Sequence, residues 1–359
     1  MDKKLRVALL FGGRSAEHDV SLMSAANVYG ALDPERYEVV PIAVARTGAW
    51  MLCPLPDGKF PTRVPDNGPL VTLLPGGGGR LVVASGDNQV EPPAPVDLIF
   101  PVLHGPFGED GSVQGLAELA GVPFVGASIF ASAAAMDKDA AKRLLRDAGL
   151  PIPRFRIVTP DDVPSFAEIA AQLGRPLFVK PSRLGSSVGV GKADTAEEFA
   201  AALAEAFRHD RKVLIEEFMR GREVECGVLE DADGTLTTSL PGEIVPTNRH
   251  AFYTYEAKYL DEHGAVLKVP ADLPKAVVKR VQSLSLQAFQ ALGCEAMARV
   301  DFFLRDDMSV VVNEVNTIPG FTNISMYPLA FKASGVSNAE LVDRLIQHAL
   351  ARAGRAPQP

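Results

Sequence analysis

The stretch RVDFFLRDDMSVVVNEVN, residues 299–316, limits the fold more than any other part of the chain. Two β-patterned segments flank the polar RDDMS, which predicts neighbouring antiparallel strands joined by a short turn. Asp301 and Glu314 then lie on adjacent strands. Glu314 and Asn316, two residues apart, share one face of theirs. Two carboxylates and an amide oxygen converging on one side of a sheet form a hard-oxygen cage suited to Mg²⁺ held together with nucleotide phosphates. The bland alternative is a solvated polar face, which the apolar Val and Phe neighbours disfavour.

The chain around this pair has 359 residues, more than one core comfortably fills, so two to three units are expected. With 31 Gly and 28 Pro, about a sixth of the residues punctuate turns, too many for a helical bundle and too few for a disordered chain. The net charge of −8 excludes a broad basic face for nucleic acid or acidic lipid, so a bound anion must be met by local cations. Cys53, Cys226 and Cys294 are odd in number and widely scattered, which reads as three lone buried thiols rather than a disulfide framework, as expected of a cytoplasmic protein. The apolar patch Val7–Phe11 is too short for a signal peptide and reads as a first strand. The longest uncharged stretch, Leu119–Met136, is interrupted by Gly121, Pro123 and Gly126, so no membrane span and a soluble protein are expected.

RVALLFGG, a helical stretch from Ala16 to Leu32 and YEVVPIAVA form a strand–helix–strand opening. DLIFPVLHG, a helix near Val113–Ala120 and a short strand at PFVGA continue it. This alternation implies a parallel sheet with Glu17 and His104 at strand C-termini. Residues 54–95 are rich in Pro and Gly, and Gly76–Gly79 read as a plain loop between VTLLP and RLVVA. Further on come a helix at Lys138–Ala148, strand RFRIV, a capped helix from Thr159 and strand LFVKP. A Gly/Ser loop, strand VGVGKA, a helix opened by Thr195 with Glu198 as a capping box, and strand VLIEEF follow. Longer strands, a loop at 246–262 and an amphipathic helix from Asn338 to Ala353 complete the chain. No internal repeat is visible. The fold class is therefore α/β combined with α+β, in three parts: 1–128, 129–234 and 235–359.

VKPSRLGSSVGVGK places a Lys at a strand end before a Gly/Ser-rich loop. It is not a Walker P-loop, because Ala193 stands where Ser or Thr is required. Gly185 to Gly189 formally match G-x-S-x-G, but a nucleophile elbow needs a strand directly before and a helix directly after. A flap whose backbone N–H groups close over phosphates fits better. Lys138 and Lys180 would supply fixed positive charge, with a solvated lysine as the alternative for Lys138.

These residues resemble those of the D-alanine–D-alanine ligases, members of the ATP-grasp superfamily, over nearly the whole chain. The stretches that carry the resemblance are FGGRSAEHDVSL, LHGPFGEDGSVQG, MDK at Met136–Lys138, VKPSRLGSSVGV, LIEEFMRGREVE, YEAKY, RVDFFL and NEVNTIPGFTNISMYP. Asp19 stands where relatives often carry Glu, and residues 54–95 match no motif.

The resemblance implies that ATP phosphorylates the carboxylate of one D-alanine and the amine of a second attacks the acyl phosphate, giving D-alanyl-D-alanine for peptidoglycan precursors. Lys258 and the acidic cage would neutralise the transferring phosphoryl group. Asp301, Glu314 and Asn316 would hold two Mg²⁺ ions, with Mn²⁺ as a substitute. Arg299 and the Gly320 N–H would form an oxyanion hole. Glu17 would bind the ammonium of the first D-alanine, with His104 near its carboxylate. Ser325 and the Met326 backbone would take the carboxylate of the second. For ATP the resemblance implies Glu216, Glu217, Phe218, Met219 and Phe252 at the adenine and Glu223 at the ribose. Lys138, Lys180, Ser186, Ser187, Lys258 and Asn313 complete the nucleotide site. Catalytic roles would fall to Glu17, Ser186, Tyr259, Arg299 and Gly320. The implied partners are two D-alanines and ATP, with no nucleic acid and no membrane, in a cytoplasmic homodimer.

Three other readings compete. A different carboxylate–amine ligase is disfavoured by GRSAEHDVS and the SMYP segment, and a nucleotide-binding module without catalysis by the intact Arg299 and acidic cage. A serine hydrolase would use Ser187 with an Asp and His348, and would need no Mg²⁺. Tyr259 bears on the acceptor: depsipeptide-forming relatives carry Phe there, whereas a Tyr hydroxyl bonded to Ser186, and through it to Glu17, would lock the 246–262 loop over the intermediate. Tyr259→Phe is therefore expected to raise the use of D-lactate against D-alanine in a mixed-acceptor assay. An unchanged preference for amine over hydroxyl would contradict this.

Overall fold

The computed structural model of the chain describes residues 3–55, 58–83, 93–246 and 265–354. Phe252, Lys258 and Tyr259, with most of the expected 246–262 loop, lie outside the described residues.

The first sheet runs β3–β2–β1–β6 and contains β1 (Leu5–Gly12), β2 (Tyr37–Val44), β3 (Trp50–Leu52) and β6 (Leu98–Pro101). β1 is parallel to both β2 and β6. Its apolar run from Val7 to Phe11 suits a strand covered on both faces. Val7, Leu9 and Phe11 enter one core and Ala8 and Leu10 another, with the period of two that a strand imposes. Helix α1 (His18–Ala31) covers the first face and α2 (Ser112–Ala120) the second. PFVGA contributes a single parallel bridge, Ile99 to Phe124, rather than a strand. Within the 54–95 segment, β4 (Val71–Leu73) and β5 (Leu81–Val83) form a small antiparallel pair. Its glycine loop docks on the end of α2 through Gly76 N–H to Leu119 O (2.7 Å) and Gly78 N–H to Ala120 O (2.8 Å).

Two helices, α3 (Ile129–Met136) and α4 (Lys138–Asp147), lead to the central unit, where β7 (Phe155–Val158), β10 (Val213–Glu217), β8 (Leu177–Pro181) and β9 (Gly191–Ala193) form an antiparallel sheet in that order. Helices α5 (Phe166–Leu173) and α6 (Ala196–His209) pack on it. Both open with a capping box, Ser165 with Glu168 and Thr195 with Glu198. The helix expected from Thr159 starts seven residues later, because Pro160 and Pro164 hold the residues before them out of helical geometry and 159–162 closes a turn instead. The expected strand VGVGKA survives only as Gly191–Ala193, since Ser186, Ser187 and Gly189 take positive φ (52°, 58° and 70°) and wind the chain into turns.

The third sheet has the order β14–β13–β11–β15–β16, with β12 (Leu236–Thr238) on β11. Its members are β11 (Arg222–Glu230), β13 (Gly242–Pro246), β14 (Ala265–Lys268), β15 (Met297–Leu304) and β16 (Val310–Asn316). Helix α7 (Lys275–Ala291) packs on one face together with residues of α3 and α4. Residues 129–150 and β11, grouped on sequence with the central unit, thus belong to the core of the third sheet. α8 (Met326–Ala333) lies on the other face, where Gly227 has no side chain and the Tyr327 and Phe331 rings fill its place. Leu341, Leu345 and Ile346 of α9 (Asn338–Arg352) return to the core of the first sheet. The C-terminal helices therefore bind the first and third sheets into one body.

All three cysteines are buried free thiols. Burial raises Cys226 to about 11 and Cys294 to about 12, which keeps them inert. No helix among the described residues is long and apolar enough to cross a membrane.

Candidate active site

The site begins where β1 and β6 end. Gly12 leaves β1 with φ of 94°, and a Cβ there would sit 2.4 Å from the Val44 carbonyl, so the turn admits only glycine. Beyond it, the Ser15 hydroxyl donates to the His104 carbonyl (2.7 Å) and accepts the Glu17 N–H (3.1 Å). This brings Glu17, at the start of α1, beside His104, which follows β6.

His104 is buried, and both ring nitrogens are engaged. Nδ1 meets the Ile318 carbonyl at 3.1 Å, and Nε2 meets Ser24 Oγ at 3.1 Å. A carbonyl can only accept, so Nδ1 carries the proton; Nε2 then accepts from Ser24. Burial, the largest influence, holds the imidazole below its ordinary pKa and so neutral. Ser24 Oγ also accepts the Phe321 N–H (3.1 Å), and Asn27 donates to the Phe321 carbonyl (2.6 Å). His104, expected near a substrate carboxylate, therefore spends its ring clamping the 318–321 turn to the first sheet. Gly320 lies inside this clamp, with Ser325 Oγ 2.8 Å from where its Cβ would be. Ser325 Oγ also accepts the Thr322 N–H at 3.0 Å and stands at the N-terminus of α8.

On the third sheet, Asp301 faces Glu314 and Arg299 faces Asn316 in register, while Glu225 and Gly227 of β11 face Asp301 and Arg299 from the other side. Side chains directly opposite share a face, so one surface gathers Glu225, Arg299, Asp301, Glu314 and Asn316. Arg299 grips both oxygens of Asp301 at 2.7 Å and pairs with Glu225 at 2.9 Å; Asn316 Nδ2 donates to Asp301 at 3.0 Å. The pairing shifts between Asp301 and Phe302, so Asn313 has no opposite residue. Such a bulge re-aims a side chain, and Asn313, which regular alternation would turn into the α7 core, lines the site with Glu314. Arg299 and Asn316 both donate to Asp301 Oδ2 and Arg299 also donates to Oδ1, and because Asn316 turns its Nδ2 to Asp301, its amide oxygen is the atom it brings to the set. Asp301, Glu314 and Asn316 thus form a hard-oxygen donor set that fits Mg²⁺. Among the described residues no three His, Cys, Asp or Glu side chains cluster as metal ligands, so the set comprises two carboxylates and one amide.

The flap closes from above. The Ser186 hydroxyl donates to Glu17 Oε1, linking the central unit to the first sheet. Lys138 donates to the Leu184 carbonyl (2.7 Å) and lies 3.9 Å from Glu314. Lys180 pairs with Glu216 at 2.7 Å, and Lys142 pairs with the other Glu216 oxygen. Burial would raise the Glu216 carboxyl, but the two ammonium groups overcome it and hold it at about 2. Burial likewise opposes charge on Lys180, and Glu216 more than offsets it. Lys142 is only 3% exposed, and there burial wins, pulling it below the usual lysine value. Glu216, expected at the adenine, is thus committed through its side chain to placing two lysines.

Two compartments result. The narrower, about 670 Å³, contains Glu17, His104, Glu109, Arg299, Asn316 and Gly320. The wider, about 1240 Å³, is lined by Phe178, Lys180, Glu217, Phe218, Met219, Glu223 and Asn313. Ser187 and Glu216 lie in the wider one as well, and both compartments share Lys138, Ser186 and Glu314. Phe178 and Phe218 stack at 5.8 Å, offering an aromatic wall to a base. Ser325 and Met326 stand beyond Gly320, outside the lining of either compartment. Sequence reasoning missed Glu109, Lys142, Phe178 and Glu225. Of these, Glu225 and Phe178 carried a signal, each two residues from a chosen position on the same strand. The hydrolase alternative fails: no elbow surrounds Ser187, and His348 is buried against Glu230 (3.2 Å) away from both compartments.

The family model "D-ala D-ala ligase N-terminus" matches residues 6–127, and "D-ala D-ala ligase C-terminus" matches residues 144–347. A relative named D-alanine–D-alanine ligase A from Mesorhizobium japonicum is 60% identical over 355 residues, covering 98% of this chain and 99% of the relative. One of the same name from Brucella suis is 50% identical, over 97% and 98% of the two chains. Among solved structures, the D-alanine-D-alanine ligase from Coxiella burnetii superposes with a TM-score of 0.86 at 36% identity, over 98% and 95% of the two chains. The VanG D-Ala:D-Ser ligase from Enterococcus faecalis gives 0.86 at 34%, over 97% and 100%.

The buried triad of Glu216 with two lysines is open to test. Its carboxyl titrates below its unfolded value, so it stabilises the fold above about pH 4.5 and that contribution is lost as pH falls towards 2. Glu216→Gln is expected to cost about 3 kcal/mol in urea unfolding at neutral pH, by leaving buried ammonium charge unpaired. It should also flatten the acid limb of stability and raise KM for ATP. An unchanged urea midpoint would contradict the triad's role.

Proposed function

The chain belongs to the D-alanine–D-alanine ligase family, and on that premise we propose how its residues divide the work of an ATP-dependent ligase that joins two D-alanines for peptidoglycan precursor synthesis. The observation that carries the proposal is the junction of the two compartments, where a lysine-lined cleft meets a chamber holding Glu17, Arg299 and Gly320.

ATP occupies the wider cleft. Its base lies against Phe178, Phe218 and Met219, Glu217 and the backbone of 216–219 read its edge, and Glu223 takes the ribose. Lys138, Lys180, Asn313 and the flap N–H groups around Ser186 and Ser187 hold the phosphates. Lys142 and Glu216 keep Lys180 in place. The family pattern adds Phe252 and Lys258. Asp301, Glu314 and Asn316 would hold two Mg²⁺ ions, with Mn²⁺ as a substitute; when bound, the metal neutralises phosphate charge and orients the terminal phosphoryl group.

The first D-alanine enters the narrow chamber with its ammonium on Glu17. Its carboxylate oxygen attacks the γ-phosphorus, the bond to the β-phosphate oxygen breaks, and ADP departs from a D-alanyl phosphate. A carboxylate is a poor electrophile, and phosphorylation turns one of its oxygens into a leaving group. The second D-alanine is held by its carboxylate on Ser325 and the Met326 N–H at the α8 N-terminus, where an anion is favoured. Its free amine attacks the acyl carbon, the oxygen there becomes anionic, and Arg299 with the Gly320 N–H stabilises it. The C–O bond then breaks, the nitrogen loses one proton, and that proton departs with the leaving group as hydrogen phosphate. Arg299 can serve because Asp301 and Glu225 fix its guanidinium plane, and Gly320 because the His104, Ser24 and Asn27 clamp fixes its peptide. The flap excludes water that would hydrolyse the acyl phosphate. A cytoplasmic homodimer completes the proposal, supported by the family resemblance.

With Mg²⁺ and saturating ATP, D-alanine is expected to stimulate phosphate release, while L-alanine or no amino acid leaves it at background. Arg299→Met should lower kcat on the order of 10²-fold, as loss of an oxyanion donor does. Equal release with and without D-alanine would defeat the assignment.

A further inference from the structure

Glu109 is a carboxyl group of the narrow chamber that the mechanism above leaves unused. It lies between β6 and α2 in LHGPFGEDG and shares the chamber wall with Glu17, His104, Arg299 and Gly320. Its Oε2 accepts the Gly105 N–H at 2.6 Å, and the Ile318 N–H also reaches it. Gly105 stands between two carboxyl groups: Glu109 holds its amide, and Glu17 Oε2 lies 2.8 Å from the point where a side chain on Gly105 would begin.

The charged and titratable surroundings are few. Arg299 faces the pair but is already gripped by Asp301 and Glu225. His104 is neutral. Lys138 and Glu314 line the same chamber, and Asp110 is turned onto the Phe107 and Ser112 amides. Burial first, and then the charge on Glu17, push the Glu109 carboxyl up to about 8, against the pull of the two amides and Arg299. The charge on Glu17 thus disfavours a second charge on Glu109 in a low-dielectric wall.

We propose that Glu109 is a second recognition group for the ammonium of the first D-alanine: its carboxyl holds a proton in the empty chamber beside Glu17, and that proton leaves to solvent as the ammonium enters. The proposal rests on the assignment of Glu17 to the ammonium. No bond to carbon or phosphorus changes in this step. The ammonium keeps its three hydrogens, and one carboxyl O–H proton passes to water. A cation enters as a proton leaves, so the chamber never holds an uncompensated second anion when empty.

The test is the pH dependence of kcat/KM for the first amino acid, with ATP and the second D-alanine saturating. The wild type should rise about tenfold per unit below about pH 8 and level above it. Glu109→Gln should lose that limb, approaching wild type within about threefold near pH 6.5 and falling at least about tenfold below it near pH 8.5. Glu109→Asp, which keeps a carboxyl, should retain a limb. In Glu17→Gln the limb should move to lower pH, because the neighbouring charge is gone. A uniform loss at every pH in Glu109→Gln would mark a structural role and overturn the proposal. First-site kcat/KM unchanged in Glu17→Gln would instead overturn the ammonium assignment. Weakened binding in Glu17→Gln beside a wild-type limb in Glu109→Gln would defeat the pair alone.

Discussion

A guanidinium removed from water has to be met by carboxylates, and the pairing of Arg299 with Asp301 and Glu225 is the interaction on which the rest of the site depends. Register alone creates it: β11, β15 and β16 align so that these three side chains and Asn316 share one face. The opposite face is apolar and sealed by α7 with α3 and α4, so the sheet cannot slip without burying charge against that core. The same network that neutralises Arg299 fixes its plane towards the narrow chamber. Losing one partner would leave a buried charge uncompensated, which is more costly than never having formed the pair.

The second constraint is that the groups lining the reaction chamber come from three distant parts of the chain. Gly320 is held by His104, Ser24 and Asn27 from the first sheet and its helix. Glu17 is reached by Ser186 from the flap, whose positive φ values at Ser186 and Ser187 bend it over the chamber. Lys180 is aimed by a buried carboxylate that Lys142 helps to hold. Opening the flap therefore breaks the Ser186–Glu17 bond, which spans two units, while Arg299 stays anchored in one sheet. An electrostatic floor fixed by its own ion pairs, under a cover tied down through Ser186, suits a reaction from which water must be excluded.

What could be read from the sequence was whatever depends on periodicity and local chemistry. Asp301, Glu314 and Asn316 share a face because strands alternate, and two capping motifs of the Ser/Thr-x-x-Glu kind, Ser165 with Glu168 and Thr195 with Glu198, mark helix starts at Phe166 and Ala196. The family pattern supplied Asn313, whose place on the site depends on a bulge that alternation contradicts. Lys142 stands one turn beyond Lys138, and only the packing of α4 on β16, with Glu216 of β10 reaching its ammonium, makes it nearly fully buried. Glu109 and His104 sit in one short loop, and what each does is decided by Ile318, more than two hundred positions away. The grouping of α3, α4 and β11 with the third sheet, and the return of α9 to the first, are long-range packing that no local pattern encodes.

The claim that joins these elements is that the carboxylate of one D-alanine becomes an acyl phosphate before the amine attacks, and isotope transfer tests it most directly. With D-alanine labelled by ¹⁸O in its carboxylate, turnover with ATP should deliver one ¹⁸O atom into each phosphate released, because the oxygen that attacked phosphorus leaves with it. Phosphate free of ¹⁸O, formed alongside the dipeptide, would contradict the acyl phosphate and with it the roles given to Arg299, Gly320 and the flap.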